Sequence, residues 1–311
     1  MIAVGLALIC GAARAAAEPS TGDGEPWERL SYEVYGLYQQ GRYSEAAATA
    51  EAALRAAQER FGPQHPNTAV CMNNVAQVYV RQERYGEAEP LFLAALQVDE
   101  DQQGRDHPDV AGDLSNLAAL YYHQGKPLMA EALLTRALRI VKRQARANPE
   151  ELITMVNALG DVELALHHYA PAERWYREAM AATAEALGAE HPRMAESYLR
   201  LAHWEQAQGR LMEAEALYQQ AIQLIERRFG PDHPIEAVPL GELALLYKSQ
   251  AHYDKAEPLM RRALSLLSDA LGPTHPDLRV PLEQYAEVLR LSGHGEEAQV
   301  FEARAKALRP L

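Results

Sequence analysis

This chain of 311 residues has little of what enzymes and disulfide-bonded proteins depend on. It has only two cysteines, and aromatic residues make up 7% of it. No Cys-x-x-Cys, His-Glu-x-x-His, Gly-x-Ser-x-Gly or glycine-rich phosphate loop occurs in the sequence. We therefore expect a protein that is not an enzyme, with no catalytic residues, no cofactor and no metal site.

Positive charge is also scarce, since Lys and Arg number 30 against 43 Asp and Glu, a net charge of −13. Nucleic-acid binding depends on Lys and Arg that neutralise phosphates, so this balance argues against a nucleic-acid partner. The same charge weakly favours a basic partner.

Long hydrophobic runs are missing except near the N-terminus, where Ile2 to Ile9 is apolar. The small residues Ala15-Ala16-Ala17 follow it, which indicates a signal peptide over residues 1–17 and cleavage before Glu18, although no charged side chain precedes Arg14. The run is too short to span a bilayer in the mature chain. We expect a periplasmic or secreted protein if this segment is removed, and a cytoplasmic one otherwise.

Residues 18–26 are rich in glycine, proline and acidic side chains, which predicts a flexible lead-in. If Cys10 is removed with the signal peptide, only Cys71 remains. An intramolecular disulfide is then excluded.

The chain does contain one 42-residue pattern that repeats seven times. Two columns hold alanine in every copy: Ala46, Ala88, Ala130, Ala172, Ala214, Ala256 and Ala298, then Ala53, Ala95, Ala137, Ala179, Ala221, Ala263 and Ala305. We divide the array, residues 23–308, into units 23–64, 65–106, 107–148, 149–190, 191–232, 233–274 and 275–308. A repeat of this length predicts a solenoid, whose units bury their apolar faces against each other.

Each unit predicts two helices, which we call A and B. In unit 65–106, His65-Pro66 opens helix A, and apolar residues then recur at helical spacing. We interpret the first histidine of such a unit as a helix cap. Helix B carries the two alanines seven residues apart on one face, where small side chains let neighbouring helices approach closely. Pro239 and Pro281 lie inside their A helices, so we expect those helices to start late or bend.

The pattern resembles the tetratricopeptide repeat position by position. Met72, Val75, Ala76, Tyr79, Ala88, Phe92 and Ala95 stand where that family keeps its large, large, small, aromatic, small, aromatic and small residues. The 42-residue length and the Gly-Pro-x-His-Pro joints at 62–66, 230–234 and 272–276 are similar to the kinesin light chain type. This resemblance implies an all-α, right-handed α-solenoid of about seven helix pairs.

The resemblance has limits. Kinesin light chains carry a heptad coiled coil before the repeats, whereas residues 1–26 contain no heptads, so motor attachment is not implied. The fourth unit departs most, with Gly160 in the small slot and Glu163 in the aromatic one.

The resemblance also implies a binding surface, since the inner wall of this family's arrays is formed by the A helices. It places these polar and aromatic residues there as candidate peptide-binding residues: Asn73, Gln77, Asn116, Tyr122, Asn157, Asp161 and His203. Amide side chains both donate and accept hydrogen bonds, as a peptide backbone requires. We expect Asn116 and Asn157 to be exposed enough for substitution without loss of the fold.

These features predict a protein–protein interaction scaffold that binds a peptide or a partner protein of unknown identity in the concave groove. Two alternatives stay open. One is a self-assembling or envelope-associated structural factor. An exposed apolar patch on a terminal helix would support this alternative. The other is a regulatory array that acts with a separate effector domain.

Overall fold

The computed structural model describes residues 25–144 and 148–308. The predicted signal peptide and all but the last two residues of the lead-in lie outside this range. Within it, the chain forms fourteen α-helices in consecutive pairs and no strand. The helices are α1 (Pro26–Gln39), α2 (Tyr43–Phe61), α3 (Pro66–Arg81), α4 (Tyr85–Gln103), α5 (Pro108–His123), α6 (Pro127–Lys142), α7 (Pro149–Ala165), α8 (Tyr169–Leu187), α9 (Arg193–Ala207), α10 (Leu211–Phe229), α11 (Ala237–Ser249), α12 (Tyr253–Leu271), α13 (Arg279–Leu291) and α14 (Gly295–Ala307).

The odd-numbered helices are the A helices and the even-numbered ones the B helices, so the predicted all-α array of seven helix pairs is confirmed. The chain divides into two compact units, described as residues 25–175 and 176–308, with the boundary inside α8. Among the described residues, no helix combines the length and the apolar character needed to cross a membrane.

The histidines at the joints are helix caps, as the sequence predicted. Each one accepts a hydrogen bond on Nδ1 from the backbone N–H two residues later, at 3.1–3.4 Å: His65, His107, His191, His233 and His275. This bond satisfies a backbone donor that has no partner within the helix. In the fourth unit Asn148 does the same for Glu150. The joints therefore define the start of each pair.

Left-handed backbone ends most A helices. Gly41, Gly125, Gly209 and Gly293 have φ between 70° and 88°. The equivalent residues in the other units are Glu83, His167 and Ala251, which adopt φ near 60° without being glycine. An L side chain costs about 1–2 kcal/mol in this region. The array thus imposes its turn even where the local sequence disfavours it.

The two prolines inside A helices delay the start of the α-helix, as predicted. A short 3₁₀ turn, Pro234–Glu236, precedes α11, and another, Pro276–Leu278, precedes α13. Pro239 and Pro281 then fall at the third position of their α-helices, where no intrahelical N–H bond is lost. No bend needs to be invoked.

All fourteen alanines of the two columns are buried, with at most 3% of their surface exposed. Large side chains fill the space between them, and Phe92, Leu134, Tyr176 and Tyr218 are almost fully enclosed. Because a protein interior is packed at nearly crystalline density, a side chain larger than alanine has no room in these columns. The columns therefore fix the spacing of the helices.

The same hydrogen bond ties a B helix to the next A helix at two places in the array. Tyr121 donates its hydroxyl to Glu89 at 3.0 Å, and Tyr247 donates to Glu215 at 2.7 Å, 32 residues apart in both cases. The tyrosine rings are buried, which confirms that this column packs the core. In the fourth unit a glutamate replaces this tyrosine. Its contact lies within its own unit, where Glu163 pairs with His168 at 2.9 Å.

Candidate functional site

The candidate binding residues of unit 25–175 lie on three consecutive A helices, α3, α5 and α7. We call Asn73, Gln77, Asn116, Tyr122, Asn157 and Asp161 the A-helix stripe. Neighbouring A helices are joined directly, because Asn73 donates Nδ2 to Oδ1 of Asp113 at 2.6 Å. Equivalent positions in successive units thus lie next to each other, as the repeat predicts.

Burial differs along the stripe. Gln77, Tyr122 and Asp161 are half-buried, whereas Asn73, Asn116 and Asn157 are exposed by only 5%, 2% and 3%. Our expectation that Asn116 and Asn157 are exposed was therefore wrong. The reason is that both side chains are covered by neighbouring helices. Their replacement by alanine would disturb packing together with any binding.

The buried amides of the stripe lack hydrogen-bond partners. Among the described residues, nothing pairs with Oδ1 of Asn73, Asn116 or Asn157, or with Nε2 of Gln77. A buried polar atom left without a partner costs about 1–3 kcal/mol, and such atoms are uncommon in folded proteins. Four of these atoms lie on one stripe, where water or a bound molecule can pair with them.

A buried pair of carboxyl groups lies beside the stripe. Asp113 on α5 and Asp99 on α4 are each exposed by only 3%. Burial first, and then the charge of Asp99, raises the pKa of Asp113 to about 8, although the hydrogen bond from Asn73 opposes the rise. Gln103 donates to the other carboxyl, Asp99, at 2.9 Å. At neutral pH the pair therefore retains a proton.

We did not predict this carboxyl pair, although the sequence contained a signal. Asp113 occupies a slot that holds Cys71 in the preceding unit and Met155 in the following one. An acidic residue in a slot that is apolar in both neighbouring units marks a buried titratable group. Cys71 is also buried, which raises the pKa of its thiol to about 11 and leaves it unreactive at neutral pH.

His203, the last candidate, lies in the second compact unit of the chain, residues 176–308. Its Nε2 lies 3.0 Å from Oε2 of Glu242 on the next A helix, and its ring packs edge-on against Tyr218. Oε1 of Glu242 is buried and has no partner within the described residues. Burial, followed by the charge of Glu242, raises the pKa of Tyr218. His203 is thus half-buried and held by its neighbours.

Among the described residues, no group of three or more His, Cys, Asp or Glu side chains is close enough to hold a metal ion. The cap histidines in particular are used for backbone hydrogen bonds within their own joints. No metal-dependent chemistry is derived from these residues.

Comparison with known proteins establishes the family. The tetratricopeptide repeat profile matches residues 34–101, 73–143 and 193–269, more than half of the chain, and a second profile of the same description matches residues 152–193. The chain belongs to the tetratricopeptide repeat family. Among curated proteins, none matches it.

Solved structures with a similar fold include kinesin light chain-like repeat proteins. BtubC (BKLC) from P. vanneervenii is 22% identical, with a TM-score of 0.54 over 73% of this chain and 90% of the other. A Podosopora anserina kinesin light chain-like protein with nearly identical TPR-like repeats is 20% identical, with a TM-score of 0.57 over 67% and 99%. Rap protein complexed with Competence and Sporulation Factor is 14% identical, with a TM-score of 0.53 over 91% and 98%. At these identities the similarity concerns the fold.

Proposed function

We propose that this tetratricopeptide array is a non-enzymatic interaction scaffold that binds a segment of a partner protein along the A-helix stripe. The observation that carries the proposal is the set of buried amide atoms without partners on α3, α5 and α7. An extended or helical peptide backbone presents both N–H and C=O groups, the two partners that these amides lack. A Rap structure with the same repeat fold contains a bound factor, which supports the proposal.

Binding requires a small opening of the stripe, because the unpaired atoms themselves are buried. Gln77, Tyr122 and Asp161 are the half-buried members that a partner reaches first. Side-chain rearrangement at an interface is common even when the backbone moves little. The partner then supplies the missing hydrogen bonds and covers the tyrosine ring.

The test uses the half-buried members, since their removal leaves the core intact. The immobilised chain is used to capture partners from an extract of the native cells, and the retained protein is titrated against a Gln77→Ala, Tyr122→Ala and Asp161→Ala variant. We expect affinity to fall by at least about tenfold, or 1.4 kcal/mol, because binding energy concentrates in a few central residues.

The matched control is a triple variant of exposed B-helix residues, Gln58→Ala, Gln97→Ala and Thr135→Ala. It should change the affinity by less than about twofold. Circular dichroism confirms that both variants fold. If the control variant loses binding and the stripe variant keeps it, the B-helix surface is the interface and the stripe proposal is wrong.

The assembly alternative has less support from the last helix pair. The groove between α13 and α14 is lined by Glu283, Arg290, Glu302, Ala305 and Lys306, which are mainly charged. Val300 is exposed by 59%, but single apolar residues on a surface are ordinary. A regulatory array acting with a separate effector remains compatible with the same stripe. The cellular compartment follows from processing of residues 1–17, which stays a prediction.

A further inference from the structure

A basic surface interrupts this acidic chain at the end of α6. Residues 132–149 contain no Asp or Glu but five basic residues: Arg136, Arg139, Lys142, Arg143 and Arg146. Such a local inversion of charge, in a chain of net charge −13, is not needed to cap one helix.

Two of these side chains are used within the fold. Arg136 pairs with Glu100 at 2.6 Å and donates to the backbone oxygen of Arg105. Arg143 pairs with Asp106 at 3.1 Å. Both bonds tie α6 to the preceding joint, so their charges are already neutralised.

Two basic side chains lie over the aromatic ring of Trp175. Lys142 lies over the ring of Trp175 on α8, with Nζ 5.9 Å from its centroid, and Arg174 lies 4.7 Å from the same centroid. Arg139 is exposed and lies one helical turn before Lys142, on the same face of α6. Neither Arg139 nor Arg174 forms an ion pair within the described residues. The indole Nε1 of Trp175 is buried without an acceptor there.

We propose that Arg139, Lys142, Arg174 and Trp175 form a docking surface for a short acidic peptide segment of a partner protein. We call this set the basic patch. Arginine guanidinium groups bind carboxylates through two parallel hydrogen bonds, and an aromatic ring between cations offers an apolar contact to the peptide.

The negative charge of the rest of the chain limits how long a bound anionic ligand can be. A polymer of phosphates or an anionic membrane extends past three cations onto a surface whose net charge is negative, where it is repelled. A peptide segment with two or three acidic side chains is short enough to contact the basic patch without reaching the acidic surface. The observations therefore favour a peptide over nucleic acid or lipid. This surface lies on the B helices and is separate from the A-helix stripe.

The test titrates the full chain with N-acetylated hexaglutamate peptide at low salt and follows tryptophan fluorescence. Trp27 and Trp204 are buried, so the signal should report on Trp175. We expect saturable binding with a Kd below about 1 mM that weakens as salt is added. In a Trp175→Phe variant the fluorescence change should disappear while calorimetry still detects binding.

The decisive variant reverses the patch, Arg139→Glu, Lys142→Glu and Arg174→Glu, and should bind at least about tenfold more weakly. Arg227→Glu, Arg228→Glu and Lys306→Glu is the matched control, because it changes the net charge equally at exposed residues elsewhere. Circular dichroism shows that both fold, and a triple glutamine variant of the patch replaces the reversal if that one does not.

Four outcomes overturn the proposal. They are no saturable binding, equal losses in the patch and control variants, a fluorescence change that survives Trp175→Phe, and tighter binding of a DNA duplex or of phosphatidylserine vesicles than of the peptide. If sedimentation instead shows that the chain dimerises through the patch, the occupant is a second copy and the peptide proposal is also wrong.

Discussion

Replacing Asp113 by asparagine should make the array more stable at neutral and alkaline pH. Asp113 and Asp99 are both buried, and Asp109 on the same helix adds further negative charge. The amide keeps the acceptor that Asn73 uses at 2.6 Å and adds a donor toward Asp99. The substitution thus keeps the hydrogen bonds and leaves one titratable carboxyl, so the folded pair no longer needs a bound proton.

The magnitude follows from the sign of the pKa shift. The pKa of Asp113 is raised from 3.8 to about 8, so between these values the folded chain holds a proton that the unfolded chain has released. The free energy of unfolding therefore falls as the pH rises, by at most about 1.4 kcal/mol per pH unit for one shared proton. Between pH 5.5 and 7.5 this gives an upper bound of about 3 kcal/mol.

The assay is urea unfolding at several pH values between 5 and 8.5. The wild-type midpoint should fall across this range, and the Asp113→Asn midpoint should fall less, so that the variant is the more stable one by about 1–2 kcal/mol at pH 8. Asp101→Asn is the control, since Asp101 is exposed. Identical pH dependence of the wild type and Asp113→Asn would refute the shared proton.

Four further predictions test the fold and its processing. Ala137→Leu should lower stability by about 1–3 kcal/mol because the alanine column has no spare volume, and an unchanged thermal midpoint would contradict this. Deleting residues 294–311 removes α14 and uncovers α13, so gel filtration should show aggregation. Ala251→Gly should raise stability by about 1 kcal/mol in urea unfolding because φ is 59°, whereas Ala181→Gly in mid-helix should lower it. N-terminal sequencing of protein from native cells should begin at or near Glu18.

The truncation prediction rests on the contact that the last helix makes within its own unit. In the structure, α14 packs on α13, where Phe301 lies 4.7 Å from the ring of Tyr285. Tyr285 in turn accepts a hydrogen bond from Arg261 of the sixth unit. Removal of α14 therefore exposes a ring that links the last two units.

Repetition made most of the fold predictable. A column that holds alanine in seven units marks a buried small residue, because no other requirement recurs every 42 residues. The cap histidines and the late helix starts at Pro239 and Pro281 followed from local chemistry, since proline lacks an N–H wherever it stands. None of these predictions needed a contact between distant residues.

Contacts between units were harder to predict from the sequence. Glu89 and Glu215 lie in the second turn of their B helices, and each accepts a hydrogen bond from a tyrosine of the next unit, which the sequence of one unit does not predict. The burial of Asn116 and Asn157 was missed for the same reason. Whether a polar side chain faces a groove or a neighbouring helix depends on how closely consecutive A helices approach, which one unit does not reveal.

The repeated and the unrepeated residues therefore have different tasks. Alanine in all seven units fixes how helices pack, and a residue that is the same in every unit cannot distinguish one binding position from another. Specificity must come from slots that change along the array, such as the one that holds Cys71, then Asp113, then Met155. The A-helix stripe and the basic patch both consist of such residues, and both lie in the unit of residues 25–175. Substitutions in these slots should change binding before they change the fold, except where, as at Asn116, the same side chain is also buried.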